Sequence, residues 1–372
     1  MNTKEKHLIG GAMAMAMLMT GIVSATASDS TQSPSSSVTV FATGLNNPRG
    51  LKFGPDGNLY VAEGGVGGSE STEGCCEQVR EVGPYTGSRT GARVSKIYPN
   101  GTRITVADNL PSSQTNAQTG GAISGVADVA FIGNTLYALI SGAGCSHGVP
   151  QVPALPNGVI RINPDGSADM IANLSAFLMA NPVANPEADD FEPDGTWFSM
   201  VSAKADGNHQ SLYAVEPNHG ELDMITPDGD ISRVADISAS YGHIVPTAVA
   251  ARDDKFYIGN LGTFPIVDGS SKILEVSKDG HIKTFAEGFT TILGLAFDNH
   301  HRMYVLENTT GNPFPTPGTG KILRVDGHNQ TVVASGLSLP TAMTFGPDGA
   351  LYVSNVGIGA PGEGQILRIT VP

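Results

Sequence analysis

Three features of the sequence predict an all-β fold, a six-bladed β-propeller built from four-stranded blades. Glycine is abundant, with 47 residues among 372, which is typical of chains with many turns and short strands. A segment centred on one tyrosine occurs six times along the chain. Two further strands joined by a tight turn follow five of these segments. Four-stranded units that recur about every 45 residues are the blades of a propeller.

The tyrosine-centred segment supplies the first two strands, a and b, of each unit. Its clearest copies are residues 48–63 and 340–355. They have the same or a similar type of residue at nearly every position, although they lie at opposite ends of the chain. The weaker copies are residues 125–140, 197–216, 246–260 and 293–307. The six repeated tyrosines are Tyr60, Tyr137, Tyr213, Tyr257, Tyr304 and Tyr352.

The segment that follows supplies strands c and d, with a glycine at the bend between them. Such a bend needs a positive φ, which glycine adopts without steric cost. The five bends are Asn100-Gly101, Asp165-Gly166, Asp228-Gly229, Asp279-Gly280 and Asp326-Gly327.

The two ends of the chain are predicted to complete one blade together. The last unit ends at residue 372 with its strand c, so its strand d is missing there. Residues 38–42, VTVFA, match the d pattern. We therefore expect the N-terminal strand to complete the sixth blade and to cover an edge that could otherwise pair with another chain. Residues 38–372 would then form a single domain.

The first 27 residues have the three-part layout of a secretory signal. Lys4 and Lys6 precede an apolar run that ends near Val23, and Ala25-Thr26-Ala27 has the small residues that a signal peptidase recognises. We expect cleavage near Ala27 and export to the periplasm or the medium; the alternative is a retained amphipathic helix. Residues 28–37 are predicted to be a disordered leader. No later apolar run is long enough to predict a membrane span.

The net charge of −14 limits the partners of the protein. Such a charge argues against nucleic acids and anionic membrane surfaces as partners. It is compatible with a bound cation and with a basic or neutral ligand. We expect a monomer.

The long insertions are predicted to lie on one face of the disc. They are residues 64–93, 108–124, 141–157 and 173–196, all in b→c or d→a connections, which share one face. We call this the insertion face. Insertions on one side of a repeat array usually mark the binding surface, although they can also be decoration that caps a blade. Glu187, Asp189, Asp190 and Glu192 form an acidic segment there, either a weak calcium site or a solvated loop.

Polar residues end most of the b strands, and others open the a strands near the axis. Oxygen-bearing side chains around a propeller axis could hold Ca²⁺ or another divalent cation. The alternative is that they cap turns and bond to backbone amides. We predict a metal site from Asp128, His243 and Glu307. The wider set of predicted ligand-binding residues is Arg49, Glu63, Asp128, Glu216, His243, Asn260, Glu307 and Asn355.

Two functions remain open from the residues. The first is a binding or scaffold protein that holds a small molecule, a glycan or a protein on the insertion face. The second is a metal-dependent enzyme of the gluconolactonase or strictosidine-synthase type, with its site in the central channel. The sequence contains no GxSxG, HExxH or Walker motif. Propellers support both functions, so the fold does not decide.

Several motifs resemble the ScyD/ScyE family of exported, NHL-like repeat proteins, which are associated in cyanobacteria with scytonemin biosynthesis. These are the blade signature GLxxPxGLxFGPDGxLYVAE, CEQV from Cys76, GPYTG at 83–87, GCSHG at 144–148 and the closing GQILRI. The resemblance covers nearly the whole mature chain and implies an exported propeller. It supplies no catalytic residues. Cys75 departs from the family pattern, which has one cysteine before EQV.

The three cysteines lie on the insertion face of adjacent blades. Cys75 and Cys76 belong to the first-blade insertion, and Cys145 belongs to the second. In an exported protein this placement favours a disulfide over a zinc site, for which only His147 offers a fourth ligand. Cys75–Cys145 and a vicinal Cys75–Cys76 bond are both alternatives. Because CEQV and GCSHG both belong to the resemblance, it implies Cys76–Cys145.

Overall fold

The computed structural model of the protein describes residues 36–149, 156–187, 191–205, 209–311, 313–327 and 329–371. The predicted signal peptide and residues 28–35 of the predicted leader lie outside the described residues. Asp189 and Asp190 also lie outside them. Among the residues that the structure describes, no helix is both long enough and apolar enough to cross a membrane.

Six antiparallel sheets form six blades, which confirms the predicted propeller. The N-terminal strand is β1 (Val38–Leu45). Blade 1 contains β2 (Pro48–Phe53), β3 (Leu59–Glu63), β4 (Thr86–Ile97), β5 (Arg103–Gln114) and a short β6 (Ile123–Ser124). Blade 2 contains β7 (Val126–Ile132), β8 (Thr135–Ile140), β9 (Gly158–Ile162) and β10 (Ala168–Asn173). Blade 3 contains β11 (Ser199–Lys204), β12 (Gln210–Glu216), β13 (Glu221–Ile225) and β14 (Ile231–Asp236).

The remaining strands follow the same order. Blade 4 contains β15 (Pro246–Arg252), β16 (Lys255–Asn260), β17 (Ser271–Ser277) and β18 (Ile282–Phe289). Blade 5 contains β19 (Ile292–Phe297), β20 (Met303–Glu307), β21 (Gly320–Asp326) and β22 (Asn329–Leu337). Blade 6 contains β23 (Ala342–Phe345), β24 (Leu351–Asn355) and β25 (Gly364–Ile369), with β1 beside β25. Two short helices, α1 (Leu174–Ala180) and α2 (Ser238–Tyr241), lie in d→a connections.

The outer strand of blade 6 comes from the beginning of the chain. β1 pairs antiparallel with β25, and Val38 lies opposite Ile369. Blade 1 has a fifth strand because its insertion prolongs β4 and β5, and the end of β5 pairs with β6. The predicted c→d bends adopt positive φ at Gly101, Gly166, Gly229, Gly280 and Gly327.

The hydrophobic core is divided among the contacts between neighbouring blades. Each of six apolar clusters draws its residues from two adjacent blades, and one of them joins blade 6 to blade 1. The repeated tyrosines lie at these contacts. Tyr60 and Tyr352 also donate hydrogen bonds to Asp56 and Asp348, at 3.0 and 3.2 Å, which are the aspartates of the two GPDG turns. In blades 1 and 6, the tyrosine therefore binds the GPDG turn of its own blade.

Candidate ligand-binding site

The polar residues that end the b strands accept hydrogen bonds from the linkers that enter their own blades. Four of them share one contact, a side-chain oxygen that accepts from a backbone amide. The pairs are Glu63 with Asn46 at 2.6 Å, Glu216 with Thr196 at 2.8 Å, Glu307 with Thr290 at 2.9 Å and Asn355 with Ser338 at 2.8 Å. Asn260 donates to the carbonyl of Ile244 at 2.7 Å, which also fixes the entering linker.

Most of these side chains also bond to strand c, and Glu63 bonds to strand d as well. The carboxylate of Glu63 pairs with Arg93 at 2.8 Å and with Arg103 at 3.0 Å. Glu307 lies 3.0 Å from the ammonium of Lys321. Burial raises the pKa of Glu307, although the Thr290 amide and Lys321 oppose the rise. The strand-b residues thus hold the corners of their blades together, and ligand binding by them stays a prediction.

Asp128 joins three blades. One carboxylate oxygen accepts from the amide of Val129 at 2.8 Å, and the other accepts from the amide of Met200 at 2.8 Å and from Ser199 Oγ at 3.1 Å. Asp128 also fills the space beside Gly50, where a Cβ would lie 1.8 Å from Oδ1. Burial raises the pKa of Asp128, because desolvation disfavours the charged carboxylate.

His243 has different neighbours from Asp128 and Glu307. Its Nδ1 is 3.1 Å from the carbonyl of Asn218 and 3.5 Å from Glu187 Oε2. The contacts of His243, Asp128 and Glu307 involve different partners, so the structure shows no shared site for the three. The part of the chain that the structure describes contains no group of three His, Cys, Asp or Glu residues that could hold a metal ion. The axial metal site therefore stays a prediction that no observed contact supports.

The insertions of blades 1 and 2 are joined covalently. Cys76 and Cys145 form a disulfide with a Cα–Cα distance of 6.2 Å, which confirms the predicted bond. Cys75 is a free, exposed thiol. Thr72 Oγ1 donates a hydrogen bond to the carbonyl of Cys145, so the backbones of the two insertions also meet at this point.

The motifs GPYTG and GCSHG contact each other directly. A Cβ on Gly87 would lie 2.8 Å from the carbonyl oxygen of Gly148, and a Cβ on Gly148 would lie 2.7 Å from the carbonyl oxygen of Tyr85. Only glycine allows this approach of two backbones. The two motifs form one packed contact on the insertion face.

A buried polar network extends this contact to residues 191–196. His147 Nε2 lies 3.5 Å from Glu192 Oε2, and Tyr85 donates to Glu192 Oε1 at 3.4 Å. Ser146 donates to Asp194 Oδ2 through its hydroxyl at 2.6 Å and through its amide at 2.7 Å. Burial lowers the pKa of His147, but Glu192 and then Asp194 raise it to a net value above the usual range.

Arg49 lies near the insertion-face end of β2, the innermost strand of blade 1. Its guanidinium donates from Nη2 to the carbonyl of Ile123, in β6 of the same blade. Burial lowers the pKa of Arg49 to about 10. The residue as a whole is half-buried.

Comparisons with known proteins support the fold. No family model and no curated protein matches the sequence. Solved structures do match. A putative oxidoreductase (glucose dehydrogenase) from Thermus thermophilus has a TM-score of 0.54 and 15% identity, over 90% of this chain and all of that one. A gluconolactonase from Xanthomonas campestris has a TM-score of 0.53 and 12% identity, over 91% of this chain and 90% of that one.

A third structure is the PQQ-bound aldose sugar dehydrogenase from Streptomyces coelicolor. It has a TM-score of 0.51 and 14% identity, over 91% of this chain and 98% of that one. These likenesses establish the propeller fold alone. The ScyD/ScyE resemblance stays a prediction.

The network around His147 and Glu192 was not predicted from the sequence. His147 was predicted only as a possible zinc ligand beside Cys145, and Glu192 only as part of an acidic segment. One feature of the sequence could have indicated it: Cys145 and His147 lie two residues apart in the GCSHG motif. A disulfide that fixes Cys145 also fixes the position of His147. The disulfide and this network together join the insertions of blades 1 and 2 to residues 191–196.

Proposed function

We propose that this protein is an exported β-propeller that binds a ligand on its insertion face, the ligand being a small molecule, a glycan or a protein segment. The observation that carries this proposal is the joining of the insertions by the Cys76–Cys145 bond and by the His147–Glu192 contact. Rigid loops lose little conformational entropy when a ligand binds, so they suit recognition. The disulfide also favours an oxidising compartment, in keeping with export.

The alternative is a metal-dependent, gluconolactonase-like enzyme with its site in the central channel. The shared fold with a gluconolactonase makes this reaction worth testing. The observed contacts favour binding, because Asp128 and Glu307 already accept hydrogen bonds from the backbones of neighbouring segments. A carboxylate that holds the fold together is poorly placed to bind a metal without loss of those bonds.

The experiment is a thermal-shift screen of the purified mature protein against small molecules and soluble glycans. Each hit is mapped by hydrogen–deuterium exchange. We expect a saturable ligand that protects residues 64–93, 108–124 and 141–149. Protection confined to the opposite face, or no saturable ligand, would contradict the proposal. Metal-dependent lactone hydrolysis that disappears with EDTA would favour the enzyme instead.

Export is tested separately by the intact mass of the protein secreted by a bacterial host. The expected chain begins at or near Ser28. A chain that retains Met1 and remains in the cytoplasm would contradict export.

A further inference from the structure

Arg49 differs in its partners from most of the other arginines of the protein. Its guanidinium shows one hydrogen bond, to the carbonyl of Ile123, and no ion pair with any residue that the structure describes. Nine other arginines form ion pairs with a carboxylate, namely Arg80, Arg93, Arg103, Arg161, Arg233, Arg252, Arg302, Arg324 and Arg368. Pairing is therefore the rule in this acidic chain, and Arg49 departs from it.

The position of Arg49 is fixed by contacts of its backbone. Ser354 Oγ donates to the Arg49 carbonyl at 2.6 Å, and Thr341 Oγ1 donates to the Pro48 carbonyl at 2.6 Å. These bonds attach the start of β2 to blade 6. On the other side, a Cβ on Gly64 would lie 3.4 Å from Arg49 Nε, so the guanidinium lies against the start of the first insertion. The positive charge is held in one place at the inner edge of the insertion face.

An unpaired, partly buried cation is unfavourable unless something else compensates it. Removing a charge from water costs free energy that an ion pair normally offsets. Burial is the cause of the lowered pKa of Arg49, about 10, and this value still leaves the side chain protonated at neutral pH. The chain has 35 acidic residues, yet none of those described pairs with this guanidinium. Such a charge is a candidate for ligand binding.

The donors that remain define the chemistry of the ligand. A guanidinium carries five N–H donors in a planar fork, and the bond to Ile123 uses one of them. The fork matches the two oxygens of a carboxylate or a phosphate. Arg49 supplies a single positive charge, and the carboxyl of Asp128 lies beside the neighbouring Gly50. A single cation suits a monoanion better than a doubly charged phosphate.

We propose that Arg49 binds the carboxylate group of a small organic acid at the inner edge of the insertion face. The inference rests on the proposed function, since it names the ligand class of the same face. The net negative charge of the protein does not prevent an anion from binding to Arg49. Physiological salt screens charges more than about 8 Å away, so the nearby guanidinium has the larger effect.

The test is a titration of the mature chain labelled with ¹⁵N-arginine, with sodium acetate as the probe, at pH 7 and constant ionic strength. The Nε–H signal of Arg49 is assigned by its absence in Arg49→Gln. We expect a saturable shift of this signal with acetate and a smaller one with inorganic phosphate. The affinities of the variants are read from the backbone amide signal of Gly64, beside Arg49, in uniformly ¹⁵N-labelled chains. Arg49→Gln should bind acetate at least about tenfold more weakly, which corresponds to about 1.4 kcal/mol.

The matched control is Arg161→Gln, which removes an exposed arginine paired with Asp169 in blade 2. This variant should bind acetate like the wild type. Arg49→Lys keeps the charge but loses the planar fork, so its affinity should fall between those of the wild type and Arg49→Gln. It also provides a folded variant if the glutamine substitution prevents folding.

Three results would overturn the inference: no saturable acetate shift at Arg49, equal acetate affinity in Arg49→Gln, or tighter binding of phosphate than of acetate. The proposed function can fail independently. A neutral ligand that protects the insertions equally in Arg49→Gln and in the wild type would support insertion-face binding and contradict the carboxylate assignment. Acetate binding at Arg49, with no ligand that protects the insertions, would support the carboxylate assignment and contradict insertion-face binding.

Discussion

The carboxylate of Glu307, at the end of β20, accepts a hydrogen bond from the backbone amide of Thr290 at 2.9 Å. Thr290 lies in the linker that enters the same blade, so the bond closes the corner between the end of strand b and the start of strand a. Glu63 makes the equivalent bond with Asn46. The acidic residue at this position is explained by blade architecture, whether or not a ligand also reaches it.

Replacing Glu307 by alanine should destabilise the protein by about 3 kcal/mol, because the substitution leaves the Thr290 amide and the Lys321 ammonium without their carboxylate. Glu307→Gln should cost less, since the amide oxygen can still accept from Thr290. The measurement is urea unfolding, with the exposed Glu363→Ala as control. Equal stability of Glu307→Ala and Glu363→Ala would contradict the structural role. A melting temperature that EDTA lowers in the wild type but not in Glu307→Ala would support metal binding instead.

Loss of the Cys76–Cys145 bond should destabilise the protein by about 4 kcal/mol, because the bond links residues 69 apart and limits the unfolded chain. We expect Cys145→Ser to unfold at lower urea concentration than the wild type. The control is Cys75→Ser, which removes the exposed free thiol and should change stability little. Peptide mapping without reduction should recover Cys76 joined to Cys145. A Cys75–Cys145 peptide, or two equally stable variants, would contradict this expectation.

Asp223→Asn should stabilise the protein above neutral pH. Asp223 and Glu221 are fully buried on β13, and one oxygen of each has no hydrogen-bond partner among the described residues. Burial raises the pKa of Asp223 well above its usual range and that of Glu221 from 4.5 to about 7. The folded state therefore binds more protons than the unfolded state. The free energy of unfolding should fall as pH rises above the unperturbed pKa values of 3.8 and 4.5 and passes through the raised folded-state values.

The fall should be smaller in Asp223→Asn, whose amide oxygen can still accept from Trp197 Nε1. The measurement is urea unfolding at pH 5 and pH 8, with the exposed Asp230→Asn as control. An identical pH dependence in Asp223→Asn and the wild type would refute the buried-charge explanation.

His147→Gln should lose stability mainly at low pH. Glu192 and Asp194 raise the pKa of His147 above 6.5 despite its burial, so the protonated imidazole stabilises the fold. This contribution is fully present below pH 6.5 and is lost as pH rises through the folded-state pKa. The variant should be less stable than the wild type at pH 6, and the difference should narrow at pH 9. Both chains carry Cys75→Ser to prevent thiol exchange, and the exposed His300→Gln is the control. A pH-independent difference would mean that packing, not charge, explains the effect.

Deleting residues 36–45 should destabilise the protein and promote aggregation. The deletion removes β1, which pairs with β25, and exposes an unpaired strand edge. Urea unfolding and light scattering measure the two effects, and a chain that begins at Ser36 is the control. Unchanged stability after the deletion would show that closure of the ring does not depend on the N-terminal strand.

The sequence by itself determined the strands, the turns and the number of blades. These features depend on local patterns, such as the positive φ required at Gly101 and Gly166 and the tyrosine that recurs in each strand b. It also placed Cys76 and Cys145 on one face, because strand order fixes the side on which each connection emerges.

The tertiary structure decided which partners the polar side chains have. Arg49 and Arg93 cannot be told apart by local pattern, yet one lacks a carboxylate partner among the described residues and the other pairs with Glu63. Likewise, the sequence could not show that Glu192 meets His147. Local backbone conformation depends on residues that are neighbours in the sequence, so it can be predicted from the sequence. The partner of a charged side chain depends on which distant segments pack beside it.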